Sequence, residues 1–255
     1  MDRRVRLGVF FAGCAVFTAI FAAGLAGLHP AGHAEGLPAE RYGNLVSAIT
    51  VPERHITDAV TAVNFDIRGF DTLGEEFIMF ASVLGVLLLL RTQPDEREGP
   101  PLDRARGREI PASSDGIRIF ASWLVGPVVL FGIYVVVHGQ VSPGGGFQGG
   151  VILASAPLLV YLAGEFKTLR RIAPHWLVES AESAGAGGYV VIGAASLFTY
   201  QAFLQNLLPL GTTGDVFSGG SVALIDLTVG LEVAGGFVVL LFAFLEETLV
   251  RRDPV

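Results

Sequence analysis

Two acidic residues, Asp226 and Glu232, interrupt the last long apolar run of the chain. Glu232 lies near the centre of that run, which is the most costly depth for a charge inside a membrane. The two acids are six residues apart, which is about 240° around an α-helix, so they point to different faces. Gly230, Gly235 and Gly236 favour the close approach of another helix. Glu232 is therefore expected to face protein or water, where it could hold or relay a proton or contact an ion.

A second group of ionisable residues lies in the segment NFDIRGFDTLGEEF, residues 64–77. Its charged members directly precede or enter an apolar run, and they are Asp66, Arg68, Asp71, Glu75 and Glu76. An acid in the first turns of a helix meets the positive end of the helix dipole, and Asp71 could cap such a helix. Adjacent acids point about 100° apart, so that at most one of Glu75 and Glu76 should face a given polar path. The segment is either a cation or proton stop or an interfacial cap with a salt bridge.

The third segment is HGQVSPGGGFQGG, residues 138–150. It combines a histidine that could titrate near neutral pH with a proline and glycines that allow unusual turns. It lacks the Gly-Lys-Ser/Thr ending of a phosphate-binding loop. We interpret it as an external glycine loop that re-enters the membrane or forms a tight turn. The loop residues are Pro143, Gly144, Gly145, Gly146, Phe147, Gly149 and Gly150.

The elements that position these residues are membrane helices. The chain of 255 residues is 51% hydrophobic and only 16% charged, and about 20 apolar residues are needed to cross a membrane as a helix. We predict an all-α, polytopic membrane protein with about six spans. Their approximate bounds are 7–28, 73–90, 117–137, 149–164, 187–208 and 222–245.

The basic residues predict the orientation. If the N-terminus is cytoplasmic, 14 of the 17 Lys and Arg residues fall on the cytoplasmic side, as the positive-inside rule requires. Both termini are then cytoplasmic, in the cytoplasmic (inner) membrane of a bacterium or archaeon. A cleaved signal peptide is the alternative for the first run, which is longer than the usual apolar region of about 7–15 residues.

The polar segment 92–116, rich in Pro, Gly and charge, is interpreted as a cytoplasmic linker. It separates a two-helix module, residues 1–91, from a four-helix domain, residues 117–255. The net charge of −7 argues against nucleic acid as a partner. The single cysteine, Cys14, excludes a cysteine-cluster metal site, and no metal or cofactor is predicted.

The stretch from His138 onward resembles the B subunit of Mrp-type (Mnh) Na⁺/H⁺ antiporters, where a similar motif joins two helices. The matching residues are His138, Pro143, Gly144, Gly145, Gly146, Phe147, Gly149 and Gly150. The stretch IDLTVGLEVAGG resembles the last helix of that family, with Asp226 at the family's acidic position and Thr228 in place of its usual glycine. The resemblance covers about residues 117–249 and implies that Pro143 and Phe147 matter for antiport.

The stretch NFDIRGFDTLGE resembles another part of the same complexes. It is similar to the C-terminal part of the large A-type polypeptide and to the equivalent small subunit of membrane-bound hydrogenases. The matching residues are Asp66, Arg68, Gly69, Asp71, Thr72, Gly74 and Glu75. The resemblance implies a role in the ion path for Glu75.

Together the two resemblances imply an accessory subunit of a multisubunit Na⁺/H⁺ antiporter, not an enzyme. The implied partners are the other antiporter subunits, including the large antiporter-like ones, with Na⁺, H⁺ and the lipid bilayer. Two alternatives stay open. One is a membrane subunit of an energy-converting, hydrogenase-like oxidoreductase related to respiratory complex I. The other is a purely structural membrane subunit.

Overall fold

The computed structural model of the chain describes residues 3–26, 39–90, 114–164 and 166–249, which contain helices and no β-strand. The helices, in chain order, are α1 (Arg3–Ala26), α2 (Ala39–Arg54), α3 (Ala59–Thr61), α4 (Gly69–Leu90), α5 (Asp115–Val137), α6 (Gly146–Gly164), α7 (Phe166–Ile172), α8 (His175–Tyr200) and α9 (Ser221–Leu249). A π-helical turn, Ala62–Ile67, continues α3.

Within the described residues, four helices are long and apolar enough to cross a membrane: α4, α5, α6 and α9. The all-α, polytopic class is thereby confirmed. Helix α1 carries a shorter apolar stretch, Leu7–Ala23. The total of six spans and the cytoplasmic side of both termini stay predictions.

The predicted fifth span, residues 187–208, has wrong bounds. The helix begins at His175 and ends at Tyr200. Two glutamates and a histidine lower the hydropathy of its first half, so that this half does not form a continuous apolar run. At the other end, Gln201 has a left-handed conformation with φ 59°, and this conformation ends a helix.

The predicted linker is largely outside the described residues, which exclude 91–113. Its last residues belong to the start of α5, because Ser114 accepts a hydrogen bond from the backbone N–H of Ile117 at 3.4 Å. This is an N-cap. The division into two modules on either side of a linker stays a prediction.

The chain forms two compact units, Met1–Leu45 and Val46–Val255. In the first unit the apolar side chains of α1 are exposed, for example Phe10, Phe17 and Phe21. In the second unit α9 is the central helix and packs against α4, α5, α6 and α8. Half of the apolar part of α9 is buried, against 17% for α4 and 22% for α5.

Glycines set the helix packing in the second unit. A Cβ atom added to Gly149 of α6 would lie 2.7 Å from the backbone nitrogen of Val136 in α5. The backbones of α5 and α6 are therefore in contact, which is the packing that small residues permit between membrane helices.

Three loops meet at Gln140, which is fully buried after α5. Its carbonyl accepts hydrogen bonds from the backbone N–H groups of Thr57, at 3.1 Å, and Asp58, at 3.3 Å. Its side-chain amide donates to the carbonyls of Val137, at 3.1 Å, and Val216. One residue thus ties together the loops that follow α2, α5 and α8.

Candidate functional site

Three buried glutamates lie on three helices around the centre of the second unit. Glu76 of α4, Glu182 of α8 and Glu232 of α9 are 4%, 5% and 1% exposed. We refer to these three residues as the carboxyl trio. Gly185 of α8 contacts the backbone of Glu232, and Gly236 of α9 contacts both Met79 of α4 and the carboxyl group of Glu182, so the three belong to one site.

Four of the six carboxyl oxygens of the trio are buried without a hydrogen-bond partner. Both oxygens of Glu232, Oε2 of Glu76 and Oε1 of Glu182 are buried without one. Among the described residues, no Lys, Arg or His forms an ion pair with any of the three. A buried carboxylate without a partner is costly, and buried polar groups are normally satisfied. Such groups are suited to binding and releasing protons or to contacting a passing ion.

Glycine contacts between α8 and α9 bring two members of the trio together. A Cβ atom on Gly185 would lie 2.7 Å from Cα of Glu232, and one on Gly235 would lie 2.6 Å from the backbone nitrogen of Glu182. The two helices therefore touch along their backbones at the level of these acids. The expectation that Gly235 lies at a close helix approach is confirmed.

Helix α4 completes the site from the other side. A Cβ atom on Gly236 would lie 2.9 Å from Cε of Met79 and 3.4 Å from Oε1 of Glu182. Gly236 thus lets α4 pack beside the carboxyl group of Glu182. Glu76 faces the interior one helical turn before Met79.

Asp226 has a different environment from the trio. Its Oδ1 accepts a hydrogen bond from the backbone N–H of Gly146 at 2.8 Å. Gly146 is the first residue of α6, where free N–H groups and the helix dipole favour a negative charge. As predicted, Asp226 and Glu232 point to different faces of α9.

The predicted glycine loop packs against Asp226. A Cβ atom on Gly139 would lie 2.6 Å from Oδ2 of Asp226, and one on Gly145 would lie 3.3 Å from Oδ1. Gly145 has φ 124°, which L side chains rarely adopt. Two features that are separate in the sequence, the loop and the acid of the last helix, therefore form one junction.

The prediction of a loop up to residue 150 is corrected, because α6 begins at Gly146. Phe147, Gly149 and Gly150 therefore lie in the first turns of a helix. Pro143 and Phe147 are exposed, whereas Gly145, Gly146, Gly149 and Gly150 are buried and Gly144 is half-buried. Glycine at these buried positions allows α6 to pack on its neighbours.

His138 ends α5 as its C-cap. It is half-buried and stacks on Tyr134, with ring centroids 4.2 Å apart. Its Nδ1 lies 3.1 Å from the carbonyl oxygen of Tyr134. These contacts are local to the end of α5 and do not connect His138 to the trio.

The charged segment before α4 divides into an exposed and a buried part. Arg68 donates from Nε to Oδ2 of Asp71 at 2.6 Å, and both side chains are exposed. Because α4 begins at Gly69, Asp71 lies in its first turn and is not its N-cap. The exposed pair agrees with the interfacial salt bridge that the sequence left open.

Asp66, Glu75 and Glu76 differ in their surroundings. Oδ2 of Asp66 is buried and lies 3.3 Å from Nε of Arg54. Glu75 is exposed, whereas Glu76 is buried. The expectation that the two adjacent glutamates face different surroundings is confirmed. It is Glu76, and not Glu75, that faces the interior of the chain.

Glu182 and Tyr189 were not among the residues predicted from the sequence. Tyr189 is fully buried, and its hydroxyl donates to the carbonyl oxygen of Gly69 at 2.8 Å. It thereby joins α8 to the start of α4. The sequence could have predicted that Glu182 is buried, because Gly185 and Gly188 follow it at a spacing that marks a helix-packing face.

The comparisons with known proteins point to one family. Residues 117–239 match the family described as a domain related to the MnhB subunit of Na⁺/H⁺ antiporters. The B subunit of the Na⁺/H⁺ antiporter of Bacillus subtilis is 36% identical over 118 residues, which are 42% of this chain and 76% of that protein. The chain belongs to the MnhB family. It is accordingly a multi-pass membrane protein of the bacterial or archaeal cell membrane.

A longer relative aligns with more of this chain. The A/B subunit of a probable K⁺/H⁺ antiporter of Rhizobium meliloti is 27% identical over 214 residues, or 76% of this MnhB-family chain. The alignment covers only 21% of that relative. This chain therefore corresponds to about a fifth of the longer polypeptide.

Two solved complexes contain similar chains. One chain of the Mrp complex from Dietzia sp. DQ12-45-1b is 26% identical with a TM-score of 0.64, over 100% of this chain and 27% of that one. One chain of the membrane-bound sulfane sulfur reductase, an archaeal respiratory membrane complex, is 28% identical with a TM-score of 0.63. That similarity covers 94% of this MnhB-family chain and 98% of the other.

Proposed function

We propose that this chain is an accessory membrane subunit of a multisubunit monovalent cation/proton antiporter. It contributes buried carboxyl groups to the ion path and helps the complex to assemble. The observation that carries the proposal is Glu232, which is 1% exposed and has no partner for either carboxyl oxygen. Intramembrane acids of this kind are costly and typically functional. The family relationship supplies the reaction, which is secondary transport and not enzymatic catalysis.

The partners follow from the same relationship. The B. subtilis relative is the B subunit of an antiporter, and the Dietzia chain belongs to the Mrp complex. Exchange of Na⁺ or K⁺ for H⁺ is therefore assigned to the whole complex, including the large antiporter-like subunits. This chain would not transport ions alone.

The exposed Glu75 has a separate part in the proposal. Glu75 resembles a residue of the ion path in related proteins. It lies in the first turns of α4, where it is exposed at the surface of the chain next to the buried Glu76. We place it where a neighbouring subunit could receive or deliver an ion. The contact between Asp226 and the glycine loop would close the ion path at the predicted external end of the helices.

A second candidate function rests on the sulfane sulfur reductase. The similarity covers 94% of this chain and 98% of the similar chain in that complex, so that most of this chain corresponds to one subunit of a respiratory membrane complex. In that case the redox chemistry lies in other subunits, and this chain carries the ion-translocating part.

The test is cation-dependent dissipation of a proton gradient in inverted membrane vesicles that hold the whole complex. Wild type is compared with Glu232→Gln and Glu75→Gln, after normal assembly of each variant has been shown. We expect Glu232→Gln to reduce the response to Na⁺ or K⁺ at least tenfold. The control is Glu53→Gln, which changes an exposed glutamate of α2 and should behave as wild type.

Two results would change the proposal. Full exchange in both assembled variants would reduce the chain to a structural subunit. No response of the wild-type complex to any monovalent cation would favour the respiratory alternative.

A further inference from the structure

We propose that the carboxyl trio carries protons and not the exchanged cation, and that Glu182, Glu179 and His175 form its exit along α8. The inference deepens the proposed function and rests on it for the exchange reaction. Neither Glu182 nor its continuation along α8 was evident from the apolar pattern of the sequence.

The register of the helices places the trio in an order. Glu232 packs against Gly185 of α8, whereas Glu182 packs against Gly235, three residues further along α9. Three residues of a helix correspond to about 4.5 Å. Glu182 therefore lies about one turn beyond Glu232, in the direction of the C-terminal end of α9.

Glu76 lies near the level of Glu232. Gly236 of α9 packs against Met79 and Val83 of α4. The two helices run in the same direction, because Leu73 clusters with Val222 whereas Val83 clusters with Phe242. Glu76 precedes Met79 by three residues and Glu232 precedes Gly236 by four. Two acids thus occupy one level and the third follows one turn later.

The path continues from Glu182 to the surface along one face of α8. Glu179 precedes Glu182 by three residues in α8. Oε1 of Glu179 lies 3.1 Å from Nδ1 of His175, and the side chains of Glu179 and His175 are partly exposed. Residues 175, 179 and 182 are spaced by four and three, which puts them on the same side of a helix. His175 is the first residue of α8 and stacks on Phe242 of α9, with ring centroids 5.5 Å apart.

The arrangement favours a proton over a metal cation. A hard cation requires several oxygen ligands that converge on one point. Among the described residues no group of three or more His, Cys, Asp or Glu side chains is placed to hold a metal ion, so the three carboxyl groups do not converge on one point. Buried carboxyl groups on two successive levels suit stepwise proton transfer.

Each step is a simple proton transfer. A protonated carboxyl group of Glu232 or Glu76 loses the proton of its O–H bond, directly or through water, to an ionised Glu182. A new O–H bond forms on Glu182, and the donor becomes the carboxylate, so the total charge of the trio is unchanged. Glu182 then passes the proton to Glu179 and His175, which exchange it with water.

The experiment uses the complete purified complex in proteoliposomes and compares two fluxes. The first is proton movement driven by a Na⁺ or K⁺ gradient, followed with an entrapped pH dye. The second is equilibrium exchange of ²²Na⁺ or ⁸⁶Rb⁺ at equal pH and equal cation concentration on both sides. Exchange of one cation for another needs no net proton transfer.

We expect Glu182→Gln to reduce the first flux at least tenfold and to leave the second within twofold of wild type. Glu182→Asp, which keeps an ionisable group, should recover part of the proton flux. Glu179→Gln should reduce it by a smaller factor, because water reaches this position. Glu53→Gln is the matched control with both fluxes unchanged.

Equal loss of both fluxes in assembled Glu182→Gln would overturn the proposal, and so would an unchanged proton flux. If Glu182→Gln assembles poorly, the Glu182→Asp and Glu179→Gln variants decide the question by the same two fluxes.

A further readout separates this proposal from the proposed function. Infrared pH-difference spectra of the complex should contain a carboxylic C=O band that disappears in Glu182→Gln. If the wild-type complex exchanges no cation but this band is present and lost in the variant, the antiporter assignment fails and protonation of Glu182 stands. If cations are exchanged but no band depends on Glu182, the antiporter assignment stands and the proton path is wrong.

Discussion

Asp226 and Glu232 lie on the same helix and are both buried, at 0% and 1% exposure, yet their surroundings differ. Asp226 reaches the N-terminus of α6, where its Oδ1 accepts a hydrogen bond from Gly146, and only its Oδ2 is buried without a partner. Glu232 has no partner for either oxygen. The difference teaches that burial of an acid inside a membrane helix does not by itself indicate transport. A partnered acid can join two elements, whereas an unpartnered one is available for chemistry.

The comparison predicts opposite effects on stability. Removal of a partnered acid leaves a buried donor unsatisfied, and that costs the desolvation of the donor. Removal of an unpartnered acid eliminates a cost. Four variants test the contrast between Asp226 and Glu232 and the helix packing around these two acids. They differ in the expected effect on thermal unfolding of the complex in detergent, from the largest to the smallest.

The largest effect is expected for Gly185→Ala, which would destroy the helix contact beside Glu232. The added Cβ atom would lie 2.6 Å from the carbonyl oxygen of Thr228, and backbone atoms cannot move aside as a side chain can. Overpacking costs about 1–3 kcal/mol, and we expect the upper end of this range or loss of assembly. Gly187→Ala on the same helix has no atom within 4 Å of its Cβ and should be neutral. Equal stability of the two variants would contradict the packing of α8 on α9.

The next effect is expected for Asp226→Ala. It removes the acceptor of the Gly146 N–H group and should cost about 1–3 kcal/mol. Asp226→Asn keeps a side-chain oxygen and should unfold between wild type and the alanine variant. If Asp226→Ala were as stable as wild type, Asp226 would not join α9 to α6, and the contrast with Glu232 would disappear.

A smaller loss is expected for Tyr189→Phe. The ring stays packed in the core, but the hydroxyl no longer donates to the Gly69 carbonyl, which lies 2.8 Å away. Loss of one buried hydrogen bond typically costs about 1 kcal/mol. The same variant also shows whether Tyr189, which is fully buried beside the start of α4, has a part in transport. Reduced proton flux at unchanged stability would extend the proton path to Tyr189.

The smallest effect on stability is expected for Glu232→Gln. The glutamine has nearly the same shape and no charge, so the unfolding temperature should stay near that of wild type or rise. The ion flux should nevertheless fall, because glutamine cannot bind and release a proton at this position. A drop in stability as large as that of Asp226→Ala would indicate that Glu232 has a structural partner, and the distinction between the two acids would be wrong.

The sequence was sufficient to predict the helical membrane class, because a long apolar run with few charges can satisfy its backbone hydrogen bonds within a membrane by forming a helix. The four described spans α4, α5, α6 and α9 lie within a few residues of the predicted runs. The divergent directions of Asp226 and Glu232 followed from helix geometry alone. The family resemblance in the Gly-rich turn was also correct.

The position of Glu182 could not be read from hydropathy. The first half of α8 contains Glu179, Glu182 and His175, and such a segment resembles a polar connection. It is helical and buried on one face because Gly185 and Gly235 allow α9 to approach. That information lies in the pairing of two distant helices and not in a local pattern.

The pairing of Asp226 with Gly146 was missed for the same reason. The two residues are 80 positions apart, and nothing in either segment specifies the other. Likewise, the sequence limited Glu75 and Glu76 to different faces, but only the packing of α4 against α9 showed that Glu76 is the interior residue.

Gln140 has a consequence for the order in which the protein is made. Its carbonyl holds the loop after α2, and its side chain holds Val216 in the loop before α9. A ribosome delivers these three segments one after another, and Val216 follows Gln140 by 76 residues. This end of the unit therefore cannot close until synthesis has passed Val216. Until then, the earlier helices remain incompletely packed at this end, and we expect them to stay associated with the insertion machinery of the membrane.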